Sequence, residues 1–115
     1  MAERYMNLNC KYLKEAREFL TKGDSVQASE KLWGVAAEIV KAIASKRGIE
    51  LRSHRDLWVF VDRLAEELKD PDIVRLFSIA NALHQNFYED WMPLSVVEKN
   101  AEAVIQLNEK LEKLL

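Results

Sequence analysis

Few places in this chain can bend. Its 115 residues include three glycines and two prolines. Four of these breakers, Gly23, Gly48, Pro71 and Pro93, divide the chain into five stretches. Within each stretch apolar residues return every three or four positions, the period of a helix that buries one face. Plentiful Ala, Leu, Glu and Lys favour the same backbone. The expected class is all-α.

The first helix is expected from about Ala2 to Lys22, with Tyr5, Leu8 or Cys10, Tyr12, Leu13, Ala16, Phe19 and Leu20 on one stripe. Gly23 supplies a left-handed stop. Asp24 is placed to cap the second helix, with Gln27 as its capping-box partner. That helix runs from about Ser25 to Arg47. Its apolar positions cover more than half the circumference, which predicts a central helix with neighbours on several sides. Gly34 inside it costs about 1 kcal/mol relative to Ala, which points to close approach of another helix. Ser53 caps the third helix, with Asp56 in the first turn, up to about Lys69. Asp70 caps the fourth, Pro71 opens it, and it runs to about Tyr88. Ser95 and Glu98 form a capping box for the fifth, which continues to the end. Short connectors favour antiparallel neighbours. The expectation is therefore one domain over residues 1–115, an antiparallel up-down bundle of about five helices.

Charge and cysteine usage narrow the function classes. A net charge of −2 gives no general attraction to nucleic acid or anionic lipid. The single cysteine, Cys10, excludes an internal disulfide and a cysteine-based zinc site, and suits a reducing cytoplasm. No apolar run approaches the roughly 20 residues of a membrane span. The two histidines, His54 and His84, lie outside any metal-binding spacing. There is no glycine-rich phosphate loop and no Gly-x-Ser-x-Gly elbow. Neither a metal nor a cofactor is expected.

Chemistry-bearing residues concentrate in SIANALHQNFYEDWMP, Ser78 to Pro93. Asn81, His84 and Tyr88 recur at i, i+3 and i+7, so they share one helical face. Histidine suits acid–base work near neutral pH. Tyr88 can donate to a phosphate or a base, and Asn81 and Asn86 can read a base edge or a phosphate oxygen. The same residues can also form a polar seam within the bundle, or pair with backbone where the helix ends. Glu38 falls on an otherwise apolar face, where a carboxylate is costly unless paired. Its candidate partners are Lys41, His54 and His84, and a solvated edge is the alternative. Lys46, Arg47, Arg52, His54 and Arg55 gather near the start of the third helix, a place that can hold a phosphate. The first two of these also offset the negative end of the second helix. Trp33 and Trp58 fall in core stripes. Trp91 lies in a break, where it packs on the bundle or meets a partner.

The run AAEIVKAIASKRG followed by SHRDL resembles the HEPN domains, helical bundles associated with nucleotide and RNA chemistry. The matching positions are Glu38 and Lys41, three apart, and His54 opening the next helix. The resemblance spans roughly Ala28 to Pro93. More specifically, QASEKLWG, ELRSH and NALHQNFYEDWMP are similar to small archaeal paralogues of the PaREP type. The resemblance implies a HEPN-like bundle that pairs into a homodimer and binds RNA, a nucleotide or a partner protein. A toxin–antitoxin or defence-like setting belongs to the same implication. Active HEPN ribonucleases place an arginine a few residues before a histidine. Here Arg75 precedes His84 by nine residues and falls on the opposite side of the helix, so that pairing is missing within one chain. Three functions follow as expectations: a binding module using Asn81, His84, Asn86, Tyr88, Glu38, His54 and Arg55; a metal-independent ribonuclease using His84; and an oligomerising scaffold built on the last helix and Trp91.

Overall fold

The second helix is covered on nearly every side, and the other four are arranged around it. The computed structural model describes residues 1–115. They form α1 (Ala2–Thr21), α2 (Ser25–Lys46), α3 (His54–Leu68), α4 (Asp72–Glu89) and α5 (Leu94–Glu112), with no strand. In α2, Leu32, Val35, Ile39, Val40 and Ile43 are fully buried, each contributing about 1.5–3 kcal/mol on removal from water. The all-α bundle and the central place of the second helix are as the sequence predicts. No helix is long and apolar enough to cross a membrane.

Side-chain pairs fix the directions. Asn9 meets Val35 and Glu15 meets Lys31, so α1 runs against α2. Asn86 meets Ser29 and Phe77 meets Trp33, so α4 also runs against α2. Lys110 pairs with Asp70, which sets α5 against α4. One connector behaves differently. His54 lies on Trp33, whereas Arg47 reaches Glu67 near the far end of α3. Thus α3 runs in the same sense as α2. The seven residues between α2 and α3 can span about 23 Å, enough to retrace the fourteen residues of α2 (about 21 Å) from Arg47 to Trp33. This link is a crossover and not a tight reversal.

The caps follow the sequence at α3 and in part at α2, but not at α4 or α5; Pro71, expected as the first helical residue after an Asp70 cap, is itself the N-cap of α4, without a side-chain cap. Ser53 and Asp56 form a full reciprocal box at α3. Backbone N–H groups of Arg52 and Ser53, together with the Ser53 hydroxyl, hold the Asp56 carboxyl below its ordinary range. Asp24 accepts from Gln27 N–H, a one-way cap. The expected Ser95–Glu98 box is absent. The helix begins two residues earlier than a Ser95 cap implies, at Leu94, and the Pro93 carbonyl takes the N–H groups of Val96 and Val97 without any side-chain cap. On α1 the stripe passes through Asn9, which is buried, and leaves Cys10 exposed.

Buried amides lock the helices in register. Asn9 donates to the Val35 carbonyl at 2.8 Å and to Asn108 Oδ1 at 2.9 Å, joining α1, α2 and α5. The close approach expected at Gly34 is present, and its cause is Tyr12. A Cβ at position 34 would lie 2.6 Å from the Tyr12 ring. Gly34→Ala gains about 1 kcal/mol of helix propensity but forces overpacking that costs about 1–3 kcal/mol. We expect a lower urea midpoint for Gly34→Ala alone, and a neutral or raised midpoint when the same change is made in a Tyr12→Ala background. An unchanged midpoint for the single variant would remove the close-contact explanation.

Candidate functional site

Burial leaves α2 one strip on which polar groups survive. Glu30, Lys31, Gly34, Ala37, Glu38 and Lys41 repeat at helical spacing and line a cleft of about 290 Å³. Tyr12 of α1 walls one side, and Trp33 and His84 complete the lining. The volume sits at the lower end of small-molecule sites, which run from about 300 to 1,000 Å³. That is room for one small molecule.

At one end of the cleft, His84 of α4 donates its Nδ1–H to Glu30 Oε1 at 2.9 Å. That bond fixes the tautomer and leaves Nε2 as an acceptor when the ring is neutral, the arrangement of a base held by a carboxylate. The Trp33 indole lies against the ring, with centroids 4.9 Å apart and planes 26° from parallel. His54 completes the cluster, 5.3 Å from Trp33 and 6.1 Å from His84. Its Nε2–H donates to Asn81 Oδ1 at 2.9 Å. Phe77 supports the indole from below at 5.4 Å. Two histidines thirty residues apart in sequence therefore meet on one tryptophan.

Glu38 is on the same cleft and is 9% exposed. Its Oε1 lies 3.8 Å from the Lys41 ammonium, beyond hydrogen-bond length, and its Oε2 is buried without a partner. Burial pushes the carboxyl above its ordinary range, and Lys41 and Arg4 only partly oppose this. Neither His54 nor His84 pairs with it. The orienting carboxylate for His84 is Glu30, which sequence reasoning passed over. The signal was present in the spacing, since Glu30, Gly34, Glu38 and Lys41 interrupt an apolar helix at intervals of three or four.

The other predicted residues separate. Asn86 is fully buried and its amide is consumed structurally. It donates to the Ser29 hydroxyl, and its Oδ1 accepts the N–H groups of Trp91 and Met92 at 2.8 and 2.7 Å. It terminates α4 and is out of a ligand's reach in the interior, which corrects its expected binding role. Tyr88 is 72% exposed and meets the His84 ring edge-on. Arg55 is exposed, has no ion-pair partner, and does not line the cleft. Arg47 and Arg52 of the basic cluster are paired with Glu67 and Glu50. Trp58 packs edge-on against Phe77, whereas Trp91 is 53% exposed.

A model described as the archaeal PaREP1/PaREP8 family matches residues 4–108. A crystal structure of a Sulfolobus solfataricus protein is similar, with a TM-score of 0.82 and 28% sequence identity, over 93% of this chain and 95% of that one. No curated protein matches.

The Glu38 carboxyl sets a pH dependence. A carboxyl raised on folding imposes no cost below its unfolded pKa, and its cost grows as pH rises through the folded value. Glu38→Gln removes the charge and keeps the shape. We expect a higher melting temperature than wild type at pH 7, with the difference closing toward pH 4. A difference independent of pH would show that the ionised carboxylate carries no such cost.

Proposed function

The chain belongs to the archaeal PaREP1/PaREP8 family, and from that premise and the geometry of the cleft we propose a HEPN-like module that binds a nucleotide or a nucleotide unit of single-stranded RNA. The observation that carries this reading is the composition of the cleft wall. Tyr12 and Trp33 offer aromatic surface, Lys31 and Lys41 offer charge for a phosphate, and Glu30, Glu38 and His84 offer acceptors for a base or ribose. That mixture of apolar surface with a few converging polar groups is the usual make-up of a small-ligand site. The size of the cleft favours a single nucleotide over a folded protein partner. The balanced local charge means that recognition comes from shape and hydrogen bonds more than from a general phosphate field.

A second reading rests on the Glu30–His84 bond. A carboxylate that holds Nδ1–H leaves Nε2 to take a proton from a ribose 2′-hydroxyl, the opening step of metal-independent RNA cleavage. No arginine lines the cleft to stabilise the phosphorane-like charge; Lys31 and Lys41 are the cations at hand. Removal of such electrostatic support ordinarily costs about 10²–10³-fold in rate, so this reading implies slow turnover. A homodimer, which the HEPN likeness implies, is part of the proposal in that a second copy can bring further cations to the cleft.

Two measurements separate these readings. Calorimetry with the four nucleoside monophosphates at low salt is expected to show binding that weakens at least about tenfold in Lys41→Ala, on the scale of a lost charge-assisted contact. Failure of every nucleotide to bind would end the binding-module reading. Incubation of single-stranded RNA in EDTA is expected to show cleavage that disappears in His84→Ala and falls in Glu30→Gln, if the second reading holds. Equal rates for wild type and His84→Ala would end it.

A further inference from the structure

The polar groups buried in this bundle are matched to partners, with Glu38 the exception. Asn9, Ser29, Asn86 and Asn108 all make hydrogen bonds. Two buried carboxylate oxygens have none, on Glu15 and Glu38. The Glu15 oxygen lies 3.2 Å from the Lys31 ammonium and so has a cation beside it. Only Glu38 Oε2 is left with neither a hydrogen bond nor a close cation. A buried acceptor in that condition is costly. The cost is relieved when the carboxylate turns toward the cleft that Glu38 lines and a ligand there brings donors to it.

Building on the nucleotide reading, we propose that Glu38 is a specificity-determining residue that selects guanine. A carboxylate has two coplanar oxygens and accepts two parallel hydrogen bonds. The matching ligand edge carries two adjacent N–H donors and no acceptor between them. Guanine alone among the common bases has such an edge, at N1–H and the N2 amino group. Adenine and cytosine each place a ring acceptor beside their amino donor, and uracil flanks its N3–H with two carbonyls. Each of those acceptors would face a carboxylate oxygen. Lys41, 3.8 Å from Oε1, favours the charged form of the carboxylate and lies beyond hydrogen-bond length, so both oxygens remain able to accept from the base. The aromatic walls Tyr12 and Trp33 lie on the same cleft, where a purine plane gains contact area. The Glu30–His84 pair at the far end then meets the sugar side of the ligand.

The test compares GMP, AMP, CMP, UMP and an arginine amide by calorimetry at pH 7, on the full chain and on Glu38→Gln. The expected result for the native chain is GMP tighter than UMP by on the order of tenfold or more, the discrimination of a bidentate base contact. In Glu38→Gln the order should change. A glutamine amide offers one acceptor and one donor, which fits adenine and no longer accepts both the N1–H and the N2–H of guanine, so GMP weakens and AMP tightens. A role confined to folding would weaken all nucleotides alike and could not exchange their order. The ranking on the native chain needs no variant, so a poorly folded Glu38→Gln leaves the proposal exposed to refutation. Equal affinity for GMP and UMP would overturn guanine selection while leaving nucleotide binding intact. A guanine preference that persists in Glu38→Gln would overturn the role of Glu38. Preference for the arginine amide would assign the donor pair to a guanidinium and overturn the base. Absence of any nucleotide binding would overturn both this inference and the reading beneath it.

Discussion

A helix with neighbours on all sides has little room for charge, and α2 is such a helix. Its core residues from Leu32 to Ala44 are almost completely withdrawn from water. The close seat of α1 depends on Gly34, where only a hydrogen atom separates the backbone from the Tyr12 ring. That closeness closes off one flank of α2, and α4 and α5 close the others. What remains is a narrow strip. Every charged group of the candidate site on α2 stands on it, because a charge on the rest of the helix surface would be buried among aliphatic side chains. The cleft is thus a consequence of how the core is packed.

Register is the second requirement, and apolar packing alone sets it loosely. Asn9 and Asn108 tie α1 to α2 and α5 through bonds that have no equivalent one turn away. Asn86 does the same for the end of α4. A buried amide left unpaired loses about 1–3 kcal/mol, so a one-turn slip of any of these helices is penalised at once. His84 lies two residues before Asn86, and its bond to Glu30 inherits that precision. Polar groups buried far from solvent thereby align polar groups at the surface.

Much of this was legible in the sequence, and the limits have physical causes. Helix number and most boundaries follow from Gly23, Gly48, Pro71 and Ser53, because breakers and caps act locally. The contact at Gly34 was legible as a gap, although the partner Tyr12 was not. The start of α5 was misplaced because Pro93 fixes the backbone there without needing the Ser95 hydroxyl. Direction was lost at Gly48–Ser53, since a connector of that length permits either a reversal or a retracing and its sequence favours neither. In the candidate site, Glu38 and His84 stood out as polar residues on apolar faces. The partners of His84 did not, because Glu30 and Trp33 are fifty or so positions from it in the chain and only tertiary packing selects them. Asn86 takes the second of the two courses open to it in the sequence, pairing with backbone where α4 ends.

The crossover that carries the chain back along α2 leaves α3 on a different footing from the other helices. α1 sits tight on α2 through a glycine and alanines, whereas α3 stands off its neighbours on bulky Phe60, Leu57 and Trp58. His54 is the first residue of that outlying helix, while His84 and Trp33 belong to the tight inner set. The aromatic stack therefore joins the outlying helix to the inner set, through the Trp33 indole that both imidazoles meet.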